Sequence, residues 1–122
     1  MVLRHLLVPA IVWQVAMPSL VLTGADASAT RDVNRGQTVQ LRLAENPTTG
    51  YRWSLDIEPP AAATVTNSRF EIGGPGVGAG GTRVFTLAIN GSGPVKVEAK
   101  LWREWQGDGS TIQRQTFALQ VH

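Results

Sequence analysis

Alternation of apolar and polar residues with a period of two, broken again and again by Gly, Pro and Asn, is the feature that most restricts what this chain can become. In QTVQLRLAE (37–45), Val39, Leu41 and Leu43 share one face while Gln40 and Arg42 share the other. Successive side chains of a strand point to opposite faces, so this pattern predicts a half-buried strand. YRWSLDI (51–57) repeats it with Tyr51, Trp53, Leu55 and Ile57, and TVTNSRFEI (64–72), TRVFTLAIN (82–90), PVKVEAKLW (94–102) and QRQTFALQV (113–121) follow, each with β-branched or aromatic residues at alternate positions. No segment sustains a helical repeat over three turns. Pro59-Pro60 ends the second strand, GGPGVGAGG (73–81) separates the third from the fourth, and Asn90-Gly91 with Ser92-Gly93 predicts a hairpin between the fourth and fifth. Six or seven short strands at this spacing predict an all-β, immunoglobulin-like antiparallel β-sandwich in one domain.

The beginning of the chain reads differently. MVLRHLLVPAIVWQVAMPSLVLTGADA carries a short basic start (Arg4, His5), an apolar run from Leu6 to Leu22, and Ala25-Asp26-Ala27, small residues in the A-x-A arrangement accepted by signal peptidase. Residues 1–27 are therefore expected to be a removable export signal and 28–122 the folded domain, periplasmic or secreted, with no stable membrane association after cleavage. The competing reading is a retained anchor, against which stand Pro9, Gln14 and Pro18 within the run. With no cysteine, a lipoprotein anchor is excluded and no disulfide helps the small core.

Composition also limits the chemistry. There is no thiol nucleophile, and the histidine that remains after export is His122, the last residue, where a solvated terminus is the expectation. No Zn-type ligand spacing exists, and neither a metal nor a cofactor is expected. Glu45, Asp56, Glu58, Glu71, Glu98, Glu104 and Asp108 are expected to be solvated surface groups rather than a catalytic pair. Gly76 to Gly81 formally satisfies GxGxxG, but a phosphate loop needs a helix after it, and Arg83 instead enters a strand-like run. A net charge of +2 with scattered basic residues argues against a nucleic-acid face.

Three loop signatures stand in order on this β framework: NPTTGY (46–51), GAGGT (78–82) and LWREW (101–105). Together they resemble the chagasin family, protein inhibitors of papain-like cysteine proteases, over nearly all of the chain from about Gln37 onward. The resemblance implies a sandwich whose three loops at one end form a wedge for the protease cleft. It implies a protease-binding set of Asn46, Pro47, Thr48, Thr49, Gly50 and Tyr51, then Gly78, Ala79, Gly80 and Gly81, then Arg103 and Trp105. It also implies a reversible, non-covalent, competitive inhibitor rather than an enzyme, acting as a monomer on a papain-like, cathepsin L-like protease. Pro47 restricts its own φ and that of Asn46, so the first loop is expected to lose little freedom on docking, with Thr48 and Thr49 filling the cleft. Trp53 is assigned to the core and Trp105 to the contact, while Trp102 either covers the sheet edge, the favoured reading, or joins the contact surface. The third loop departs from the family in having Glu104 where a Pro is usual, which predicts a looser loop or an internal Glu104–Arg103 pair. The alternative is a non-inhibitory binding or adhesion module of the same shape.

Overall fold

The computed structural model describes residues 19–74 and 80–122. Two four-stranded sheets pack face to face. The strands are β1 (Leu20–Thr23), β2 (Thr30–Val33), β3 (Thr38–Glu45), β4 (Arg52–Glu58), β5 (Ala63–Ile72), β6 (Gly81–Ile89), β7 (Gly93–Trp102) and β8 (Gln113–Val121). The first sheet runs β1-β3-β6-β5 and the second β2-β8-β7-β4. All six strands expected from the alternation are present, and the fold is the expected all-β sandwich.

The alternating faces do the packing. Val39, Leu41 and Leu43 of β3 and Phe85, Leu87 and Ile89 of β6 meet Trp53 of β4, Val95, Val97 and Ala99 of β7, and Phe117, Leu119 and Val121 of β8 in one continuous core. Burying such side chains stabilises by roughly 1.5–3 kcal/mol each, the term that must hold a disulfide-free domain together. β5 is an edge strand with most side chains exposed and a bulge between Val65 and Asn67, a local kink that discourages pairing with another chain.

Two features differ from the sequence expectation. First, both sheets are mixed: β1 pairs parallel to β3, and β2 parallel to β8, while every other pairing is antiparallel. Leu22 of β1 is buried in the core, and Thr23 and Asp26 cap the short turn that follows through their mutual side-chain and backbone hydrogen bonds. Residues 20–26, assigned from the sequence to the export signal, thus supply an edge strand and a cap in this structure. Residues 1–18 lie outside the described residues.

Second, Asn90–Ser92 is not a hairpin turn. β6 belongs to the first sheet and β7 to the second, so these residues carry the chain from one sheet to the other. The Asn90 and Gly91 amides both donate to the Ala62 carbonyl, at 2.8 and 2.9 Å, and the Asn90 side chain donates to Thr64 Oγ1. Ala62 lies so close that a Cβ on Gly91 would sit 2.9 Å from its Cα, which explains the glycine by approach rather than by turn type.

Candidate functional site

The three loop signatures are brought to the same end of the sandwich by the strand register. Glu45, the last residue before the first loop, lies opposite Gly81, and Gly81 in turn lies opposite Ile72 at the far root of the glycine loop. Arg52, just after the first loop, lies opposite Trp102, just before the third. Gly73 N donates to Gly80 O at 3.0 Å, closing the base of the glycine loop as a β5–β6 hairpin. Gly80 and Gly81 are therefore placed at the tip beside the first loop, whereas Gly78 and Ala79 lie outside the described residues. A strand follows Gly81 directly, so the helix a phosphate loop requires is replaced by β6.

The first loop is a single 3-10 turn, Pro47–Thr49, and its residues explain it. Asn46 is the N-cap, its Oδ1 accepting from the Thr48 amide at 3.2 Å and the Thr48 hydroxyl at 2.7 Å. Pro47 takes the first helical position, where no amide donor is needed. The Thr49 hydroxyl donates to Asn46 O at 2.8 Å and accepts from the Tyr51 amide. Gly50 closes the turn at φ 82°, in the left-handed region that favours glycine. Both threonine hydroxyls are thus engaged inside the loop, fixing its shape before any partner arrives, while the two residues remain exposed.

The third loop leans on the first. Arg103 Nε and Nη2 both donate to Thr49 O, at 3.2 and 2.9 Å, and the guanidinium lies 4.4 Å from the centre of the Tyr51 ring. The Trp105 indole lies against Gly50, where an added Cβ would be 2.8 Å from Cη2, yet the residue is 71% exposed. A large apolar surface held open to water at a loop tip is unfavourable unless a partner covers it. The expected Glu104–Arg103 pair is absent, because the Arg103 guanidinium is committed to Thr49 and Tyr51. Nor is the loop loose without its proline: Glu104–Gln106 and Asp108–Ser110 form two consecutive 3-10 turns. Ser110 Oγ accepts from the Arg103 amide at 2.9 Å and points back at the carbonyls of Arg103 and Gly107. Ser110 is a site residue that no sequence pattern singled out.

Two further tryptophans pack against the sandwich. Trp53 is buried and donates its indole N–H to Ala44 O at 2.8 Å. Trp102 lies half-buried, its N–H on Ser54 Oγ and the Lys100 ammonium 3.6 Å over its ring.

One carboxylate departs from expectation. Glu45 is buried, 4% exposed, not solvated, and its Oε1 accepts from Arg83 Nε and Nη2 at 3.1 and 2.9 Å. The signal was present in the pattern that identified β3: the face of Val39, Leu41 and Leu43 continues to Glu45. His122 is not loose either. Its amide donates to Val33 O and its ring lies 2.8 Å from Asp32 Oδ1, beyond the end of β8 remote from the loops. No group of His, Cys, Asp or Glu suited to a metal ion occurs among the described residues.

Comparison with known proteins follows the same lines. Chagasin from Trypanosoma cruzi is 32% identical over 106 residues, covering 83% of this chain and 96% of that protein. Among solved structures, the cysteine protease inhibitor EhICP2 from Entamoeba histolytica superposes with a TM-score of 0.73 at 18% identity, covering 85% of this chain and 95% of its own. PbICP-C, solved in complex with falcipain-2, superposes with a TM-score of 0.55 at 14% identity, covering 85% and 91%. The sequence profile described as "Chagasin family peptidase inhibitor I42" matches residues 32–121, and with this coverage the chain belongs to the chagasin family of peptidase inhibitors.

Proposed function

We propose that this chain is a reversible, non-covalent, competitive inhibitor of papain-like, cathepsin L-like cysteine proteases, and not itself an enzyme. It acts by placing the three-loop tip in the active-site cleft. The observation that carries the reading is the mutual bracing of two loops far apart in sequence, Arg103 on Thr49 and Tyr51 and Trp105 on Gly50, at the end where the glycine loop also emerges. Loops already fixed before docking lose little conformational freedom, so more of the contact energy appears as affinity. Support comes from the relatives: EhICP2 is a cysteine protease inhibitor, and PbICP-C forms a complex with falcipain-2.

In this reading Asn46–Tyr51 covers the catalytic cysteine, with Gly78–Gly81 on one side and Trp105 on the other. Arg103 contributes chiefly by holding the first loop, and Trp105 is the anchor a pocket on the protease receives. The tip offers no reactive group, which fits occlusion without a covalent bond. The chain works as a monomer and is exported, the N-terminal segment parting from the domain ahead of Leu20, since β1 belongs to the sandwich. Titrating the purified domain into papain tests the function: stoichiometric, competitive and reversible inhibition is expected. No effect at micromolar excess would leave a binding module without inhibitory action.

A further inference from the structure

The ion pair of Glu45 with Arg83 has no part in the packing of hydrophobic side chains, yet it occupies the inner face of the first sheet, in line with the apolar positions of β3 and β6. Arg83 shares that face with Phe85, Leu87 and Ile89, and Glu45 with Val39, Leu41 and Leu43. The Glu45 side chain is wholly shielded from water and that of Arg83 only 15% exposed. Removing two charges from water costs several kcal/mol per ion, and apolar residues of similar size often serve stability as well or better. Stability alone is therefore a weak account of the pair, and its position supplies a better one.

Glu45 is the residue from which the first loop departs. Its Oε2 accepts from the Trp53 amide at 2.9 Å, two residues beyond the loop's end at Tyr51. Trp53 is on β4, an edge strand of the second sheet, so this amide would otherwise be left unpaired beside the core. The other oxygen binds Arg83, two residues beyond the glycine loop's end at Gly81. Arg83 is itself oriented by Ser68 Oγ at 3.3 Å and by the Phe70 ring at 5.8 Å, both on β5. A single carboxylate thus ties both roots of the first loop to the returning root of the glycine loop, and ties the first sheet to the second.

We infer that Glu45 and Arg83 are positioning residues for inhibition: the pair sets the spacing between the first loop and the glycine loop, and so the width of the wedge offered to the protease. The inference deepens the proposed inhibitory function and rests on it for its consequence, though not for its geometry.

The test replaces both members at once, Glu45→Met with Arg83→Met, so that no charge is stranded. Two quantities are read: the inhibition constant against papain, well below the melting temperature, and the amide hydrogen-exchange rates of Gly50, Tyr51 and Gly81, none of which is bonded to the replaced side chains. Melting close to the wild-type temperature is expected, the gain from removing two buried charges being offset by the Trp53 amide that loses its acceptor, together with inhibition weakened by about tenfold or more and faster exchange at those amides. Wild-type inhibition with unchanged exchange would overturn the inference, since the pair would then be structural filling. Should the double variant fail to fold, Glu45→Gln, which keeps the shape and an acceptor for Trp53, is read the same way against wild type. If wild type itself does not inhibit, the functional reading fails, and the exchange rates alone still decide whether the pair holds the loops.

Discussion

Trp53 and Trp105 stand 52 positions apart in the chain and at opposite extremes of exposure, 6% and 71%, so replacing each by alanine should separate folding from binding. A buried tryptophan removes on the order of 150–250 Å² from water, and at ~25 cal/mol per Å² the side chain stabilises by about 4–6 kcal/mol. Large-to-small core replacements measure about 3–5 kcal/mol, in keeping with that figure. Trp53→Ala also strands the Ala44 carbonyl, which accepts the indole N–H. In a domain of this size about 1 kcal/mol shifts Tm by ~4–8 °C, so Tm is expected to fall by at least about 12 °C. Trp105 covers less than a third of its surface, so its truncation should cost about 1–2 kcal/mol at most. Under the proposed function its contribution belongs to docking, where loss of an aromatic anchor weakens binding by roughly 2 kcal/mol or more, about thirtyfold. Thermal melts followed by circular dichroism and inhibition of papain at 25 °C, assayed on both variants, give the answer. Equal losses of Tm, or an unaltered inhibition constant for Trp105→Ala, would refute the division.

Further outcomes can be checked with the same assays. Gly50→Ala forces a side chain into the left-handed region and into the Trp105 ring, so a loss of about 1–2 kcal/mol in a melt should accompany weaker inhibition. A chain beginning at Ser28 should be less stable than one beginning at Ser19 by at least about 2 kcal/mol, through loss of Leu22, and should self-associate in sedimentation through the bared edge of β3. Glu71 is held below the ordinary carboxylate range by hydrogen bonds from Arg42 and then Arg69, Asp108 by Lys100, and Asp26 first by the Thr23 amide. Carboxylates depressed in the folded state stabilise it above their unfolded pKa of roughly 4, and the contribution disappears as pH falls through the lower folded values. Tm should therefore drop as pH falls below about 4, and Glu71→Gln should flatten that fall. Thr48→Lys or Thr49→Lys should abolish inhibition while strand content by circular dichroism stays unchanged.

The strands were legible because period-two alternation is a local property: β3 through β8 begin and end within two residues of the segments it marks. β1 and β2 were not, and for a physical reason. LVLT is the tail of a longer apolar run whose other features are those of an export signal, and Thr30–Val33 is too short and polar to show a period. Which sheet each strand joins is a long-range matter, so Asn90-Gly91 looked like a hairpin although the chain there changes sheets. The loop signatures were visible as motifs, but their bracing was not, since Arg103 reaches Thr49 across 54 positions. Glu45 shows the converse case. Its burial followed from the alternation already used for β3, and residue type was allowed to outweigh position, whereas a partner 38 positions away in Arg83 makes burial of that charge tolerable.

The parallel pairing of β2 with β8 gives the domain a mechanical character. β1 likewise runs parallel to its partner β3, so tension applied between the two ends of the chain draws Leu20–Thr23 along Val39–Arg42 and then Thr30–Val33 along Ala118–Val121, lengthwise in each case. Their cross-links bear such a load in concert instead of peeling apart singly. Held at both ends, the domain should resist extension until these short ladders rupture, and the rate of that rupture, not the equilibrium free energy, would set its lifetime under load.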